Sequence, residues 1–272
     1  MAGTAQRVGT VGALWRYPVK SMLGEELPAA DVTGRGIDGD RRFALLDRAT
    51  GKVASAKDPR LWRRLLTLTA TTTGDGVRVT GPDGAELDAD ALTELLARPV
   101  ALTAEPPPAA SIDRADPEEV LRRGEAADSA VHAVELPAGT FFDHSPLHLL
   151  TTATLDRIAE LSPRRTVEAR RYRPNLVIRH EGAGGFVENH WIGRELTIGP
   201  RLRLRITVPT PRCAVPTLAH GSLPRDPEAL RVPARHNPLE PLAGMGPRPC
   251  VGVHARVLAA GRVARGDAVL LH

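Results

Sequence analysis

A cysteine set between prolines is the sharpest chemical feature of the sequence. In TVPTPRCAVPT, residues 207–217, Cys213 follows Arg212 at the end of a predicted strand, with Pro209, Pro211 and Pro216 stiffening both flanks. A neighbouring guanidinium favours thiolate over thiol, and a thiolate is a nucleophile or a soft-metal ligand. A buried, inert thiol is the plainer alternative, and Cys250 in GPRPCVGV is read that way, as core. Three other segments carry donors for an anion. YPVKSM (Tyr17–Met22) leaves a strand by a turn that presents the Lys20 ammonium, the Ser21 hydroxyl and backbone N–H groups together, a set that suits phosphate. In GRGIDGDRRFALLD, glycines permit a tight course and Arg41 follows at once, its planar donor fork within reach of the same anion. In RRYRPNLVI, Arg173 and Asn175 stand at a strand entrance, and the Asn amide offers both donors and an acceptor for a heterocycle edge. The bland reading of each of these three, taken alone, is a solvated turn.

The elements that must position these groups are mostly short strands. Residues 8–19 read as an opening strand, and strand–turn–strand follows through Asp47, with a hairpin at Arg48–Gly51. RRLLTLTATTT and GVRVTG form a pair joined at Gly74-Asp75-Gly76, and LDADALTELLA has helical spacing. The three prolines Pro106–Pro108 mark a linker, which divides the chain into a β-rich unit over 1–105, a linker and loop over 106–130, and a second unit over 131–272. In PLHLLTTATLDRIAEL a helix is predicted, N-capped by Thr152 or Thr154. Further strands follow at NLVIRH and 190–210, a short helix in RDPEALRVPARHN, and two closing strands around Ala259–Gly261. Many short strands with sparse helices indicate a mainly β architecture with some α, barrel-like or α+β.

Composition narrows the field. The 272 residues are 42% hydrophobic and 25% charged, enough for a real core. No run approaches the ~18 apolar residues of a membrane helix, and the N-terminus lacks a signal-peptide pattern, so a cytoplasmic location is expected. Two cysteines make neither a disulfide framework nor a four-Cys metal site. There is no Walker loop, no G-x-G-x-x-G after a strand, and no zinc-hydrolase histidine spacing. Of the 36 basic residues only Lys20, Lys52 and Lys57 are lysines. The charge is dispersed and aromatics are 3%, against nucleic-acid binding.

Taken in order, these segments resemble the molybdenum-cofactor sulfurase C-terminal (MOSC) family with its N-terminal β-barrel domain. The matching pieces are Y-P-V-K-S, G-x-D-G-D-R-x-F-A-L-x-D, P-L-H-L-L-T-T-A-T-L, R-x-R-P-N-L-V-I, F-x-E-x-x-W-x-G at Phe186–Gly193, Arg212-Cys213 and the closing Gly266-Asp267. The resemblance looks strongest to the amidoxime-reducing proteins. It implies an N-terminal β-barrel-like domain, a C-terminal MOSC barrel with peripheral helices, and a pyranopterin molybdenum cofactor. Cys213 is then the metal ligand and catalytic residue. Lys20, Ser21 and Arg41 hold the terminal phosphate, with anion contacts from Thr151, Thr152 or Thr154. Arg173 and Asn175 hold the pterin, with Arg212 beside the metal. The implied reaction is reduction of a small N-oxygenated substrate at molybdenum, with electrons from a separate ferredoxin- or flavin-type protein, because no Cys cluster follows the MOSC motifs. Pyridoxal phosphate, nucleic acid and membrane are not expected ligands. The alternative is a non-redox cofactor-binding, carrier or sulfur-transfer protein with a persulfide on Cys213. The run after Cys213, AVPTLAHGSLPRDPEALR, departs from the Thr-Thr-x-Asp-Pro-like continuation usual among amidoxime reducers, and it borders the expected metal position.

Overall fold

The computed structural model describes residues 5–74 and 76–272; residues 1–4, and Asp75 of the expected Gly74–Gly76 turn, lie outside the described residues. Seven strands close into a barrel: β1 (Gln6–Arg16), β2 (Leu147–Thr151), β3 (Leu176–His180), β4 (Glu195–Ile198), β5 (Leu202–Pro211), β6 (Arg248–Ala259) and β7 (Ala268–Leu271). The order around the wall is β2-β3-β1-β7-β4-β5-β6, and β6 pairs back onto β2. Only β2 and β3 run parallel; every other neighbour is antiparallel. The architecture is mainly β with a few helices, as the strand pattern predicts.

The inward residues are branched aliphatics, among them Val8, Val11, Leu14, Leu149, Ile178, Ile198, Ile206, Val253 and Val269. In β1 the inward residues fall three apart rather than two. Register shifts between Arg7 and Gly9 and between Val11 and Ala13 absorb the difference. Each bulge adds a residue to one strand, so an irregular pattern still fills one face. Strand β2 is buried along its whole length, its polar residues His148 and Thr151 included.

A second layer, built mainly from residues 17–105, packs against one end of the barrel. Two antiparallel pairs, Ala44–Asp47 with Val100–Thr103 and Thr69–Thr73 with Gly76–Thr80, enclose Trp62, Leu65, Leu68, Leu92 and Leu96. The helix Ala89–Leu96 begins at Asp88, whose carboxylate accepts from the Ala91 N–H.

Several expectations require correction. The first strand belongs to the first unit by sequence, and in the structure it is the barrel stave between β3 and β7. Residues 106–130 are not only linker: Ser111–Ala115 pairs with Val131–Glu135, and a helix spans Pro117–Arg123. Asp116 caps that helix by accepting from Glu118 and Glu119, and Pro117 at the first helical position presets its backbone. Residues 63–67 form a 3₁₀ turn rather than strand. The chain closes with three strands, because Gly261–Ala264 leaves β6 and pairs with Ala29–Thr33 instead of forming a hairpin.

Candidate functional site

A cleft of about 270 Å³ lies where the second layer meets the barrel end. Lys20, Ser21, Arg41, Arg173, Asn175, Arg212 and Cys213 all line it, drawn together from four separated segments. Three of these residues, Ser21 (φ +64°), Arg41 (φ +48°) and Arg173 (φ +53°), hold the left-handed backbone region that side chains other than Gly rarely adopt. Such strain persists only where surrounding contacts enforce it, and it clusters at functional sites.

The cationic wall is built around one ring. Tyr17 continues β1, and its ring carries the Arg173 guanidinium 4.3 Å from the centroid and that of Arg41 at 4.9 Å. Arg41 is paired with Asp40, while Arg173 donates to Met22 O at 2.6 Å. Burial first, then Arg41, brings the Arg173 pKa down to about 10. Lys20 donates to Phe141 O (2.8 Å) and to Asp143 (2.7 Å), and burial lowers its pKa to about 8. Ser21 Oγ accepts from the Ala56 N–H at 3.1 Å, leaving its own proton for donation. Asn175 is largely occupied: Nδ2 donates to Trp15 O at 3.2 Å and Oδ1 accepts from the His148 N–H at 3.1 Å. It therefore clasps β1, β2 and the entrance of β3 together.

The threonines stand elsewhere, contrary to expectation. Thr151, not Thr152 or Thr154, caps the helix Thr152–Leu161, accepting from the Thr154 N–H. Thr151 and Thr154 donate to Glu188 Oε2 at 2.7 and 2.6 Å, and Thr152 Oγ1 accepts from the His180 N–H. The group at this helix start is thus the chain's own Glu188 carboxyl, fully buried, its pKa raised by burial. None of the three threonines lines the cleft.

At the other end, Cys213 leaves β5 and is 8% exposed, packed with Leu66, Val120, Val215 and Leu218. Beside it, Thr210 Oγ1 and Arg212 Nε are buried without a hydrogen-bond partner. Buried polar atoms are rarely left so, and an orphaned donor at a cleft wall is a place for a ligand acceptor. Arg212 Nη2 donates to Tyr172 O at 2.9 Å, and burial lowers the Arg212 pKa. Three histidines gather here that no spacing rule finds. His148 and His254 face each other across the β2–β6 seam with rings 6.0 Å apart, and His144 lies 5.2 Å from His254. Burial holds His148 well below its ordinary pKa and His254 down to about 3, so both are neutral. Only the strand register, which the sequence does not display, brings them together. Asp143 and Lys57, which also line the cleft, lie in connections whose long-range approach has no local sequence signature.

Among the described residues no three His, Cys, Asp or Glu side chains converge to hold a metal ion. A metal beside Cys213 would therefore arrive with most of its ligands already attached. The donor set fits a group that is anionic at one end and carries a soft metal at the other: cations at Lys20, Arg41 and Arg173, a thiol at Cys213, unpaired donors beside it.

The closed barrel and the cleft beside it, lined by Lys20, Arg41, Arg173 and Cys213, define a β-barrel protein with a cation-rich cleft. The MOSC N-terminal beta barrel domain matches residues 8–105 and the MOSC domain matches residues 137–270, and the chain belongs to that family. It is 28% identical over 270 residues to Mitochondrial amidoxime-reducing component 1 of Homo sapiens, covering 87% of this chain and 72% of that protein. The Mus musculus protein of the same name is 26% identical over 267 residues, covering 87% and 71%. Among solved structures, the YuaD protein from Bacillus subtilis aligns over 99% of this chain and 98% of its own with 12% identity and a TM-score of 0.46. YiiM from Geobacillus stearothermophilus aligns over 52% and 67% with 15% identity and a TM-score of 0.33. Family and relatives support a function related to the molybdenum cofactor. No helix among the described residues is long and apolar enough to cross a membrane.

Proposed function

We propose that the chain binds a pyranopterin molybdenum cofactor and reduces small N-oxygenated substrates, using electrons from a separate ferredoxin- or flavin-type protein. The observation that carries this reading is the cleft itself, which brings Lys20, Arg41 and Arg173 together with Cys213 and the unpaired Thr210 Oγ1 and Arg212 Nε. When bound, the cofactor supplies oxygen-atom abstraction and two-electron redox chemistry; the protein positions and tunes it.

Lys20, Ser21 and Arg41, all lining the cleft, would hold the terminal phosphate. Arg173 would hold the pterin, its guanidinium fixed by the Tyr17 ring and by Met22 O. Asn175 acts at one remove, locking the strand entrance from which Arg173 projects. Cys213 ligates the metal, and the Thr210 hydroxyl and Arg212 Nε offer donors to oxygen atoms near it. The sheltering of Cys213 supports ligation over the persulfide-carrier alternative, since sulfur transfer between proteins requires an accessible thiol.

Metal analysis and X-ray absorption at the molybdenum edge, in wild type and Cys213→Ser, test the reading. The expected outcome is one molybdenum per chain in wild type and one fewer sulfur neighbour in Cys213→Ser, with amidoxime reduction from an artificial donor abolished. An unchanged sulfur count excludes Cys213 as ligand. A metal-free wild type bearing a sulfurated Cys213 selects the carrier.

A further inference from the structure

Two of the three lysines in the chain converge on one carboxylate. Asp143 Oδ1 accepts from Lys20 Nζ at 2.7 Å and from Lys57 Nζ at 2.9 Å, all three on the wall of the cleft. The lysine side chains are 6% and 14% exposed, whereas Asp143 is 46% exposed. All three line the cleft, but only the carboxylate is open to solvent.

Its support is the connection between Val131–Glu135 and β2, where Thr140 closes a turn onto Pro137 O and Phe141 and Phe142 are buried anchors. Among the described residues the two ammonium groups are the only hydrogen-bond partners of the Asp143 carboxylate. Rotating the side chain toward solvent therefore gives up those two contacts alone, and water compensates a group already at the rim. The lysines have no such exit. Two sheltered ammoniums side by side repel each other and require an anion between them.

We propose that Asp143 is a resident counter-ion, which keeps Lys20 and Lys57 in place for an anionic ligand and surrenders its position on them when that ligand arrives. The inference rests on the reading of this cleft as an anion site. A phosphate and a carboxylate on the same two ammoniums repel, so one displaces the other. A ligand must compete with a tethered group, and the measured affinity is the difference between the two interactions. Lys57 thereby joins the ligand-binding set.

Inorganic phosphate, titrated calorimetrically into the full chain, is the probe. Asp143→Asn is expected to bind phosphate about tenfold tighter than wild type, and Arg41→Ala more weakly. In wild type, phosphate should speed hydrogen exchange over residues 137–145, which lose the Asp143 tie to Lys20 and Lys57, while slowing it over 17–22. Wild-type binding with an unchanged or weakened Asp143→Asn overturns the counter-ion role and leaves the anion site standing. No phosphate binding in either folded protein overturns both. If Asp143→Asn does not fold, the wild-type exchange decides: unchanged or slower exchange over 137–145 overturns the proposal.

Discussion

Lys20 shows how a single residue's surroundings set its working range. Burial brings its pKa to about 8, so the positive charge offered to an anion fades as pH rises through that value, while Arg41 keeps its charge. Cofactor retention after dialysis should therefore fall between pH 7 and 9 in wild type. Lys20→Ala and Arg41→Ala should each weaken retention at neutral pH by roughly ten- to a hundredfold, the cost of one charge-assisted bond. Lys20→Ala should also flatten the pH dependence, and full cofactor content in both variants would remove the phosphate assignment. For the unliganded fold the sign reverses: the unfolded chain keeps this proton up to about pH 10.5, so stability rises as pH climbs from about 8. The type of each such residue was legible in the sequence, because Lys-Ser after a strand and Arg beside a Gly-rich turn name their chemistry. Its state was not, since burial, the Tyr17 ring between two guanidiniums and the carboxylate of Asp143 come from segments far away along the chain.

Strands and helices explain both what was legible and what misled. The strands Leu176–His180 and Glu195–Ile198 announce themselves by composition, and so does the helix Ala89–Leu96 with its Asp88 cap. The threonine cluster misled because a helix start after a strand resembles an anion site, and nothing local shows that Glu188 fills it. The seam between β2 and β6 is similarly hidden. There Gly252 holds φ +76°, and a Cβ would stand 2.4 Å from both His148 Nε2 and Leu149 O. Gly252→Ala must strain the backbone and push the seam apart, at an expected cost of about 2–4 kcal/mol. Chemical denaturation measures it, and a change below about 0.5 kcal/mol would mean the seam yields freely.

At the scale of the whole molecule, the two family matches meet in a single body. The barrel that carries Cys213 borrows its stave β1 from the far N-terminal side, and Cys213 itself packs on Leu66 and Val120. A protein consisting of residues 106–272 should therefore lack cooperative thermal unfolding, since removal of β1 exposes the edges of β3 and β7. Addition of a peptide spanning residues 6–16 should restore a transition. A sharp unfolding transition without the peptide would show that the remaining six strands can close alone. The proline run at 106–108 made a boundary there easy to infer; long-range strand pairing, which has no local signature, crosses it.

The placement of β1 also orders events on the ribosome. Gln6–Arg16 emerges before every other stave of the barrel, yet one of its neighbours, Ala268–Leu271, is made more than 250 residues later. At ~5–20 residues per second the opening strand waits on the order of ten seconds or more for its place. Tyr17 and Lys20 follow directly from that strand, and Asn175 joins them only when Trp15 is seated beside it. The cleft is consequently among the last features to form. A nascent chain has no site to load, and only a finished barrel can compete for a scarce ligand.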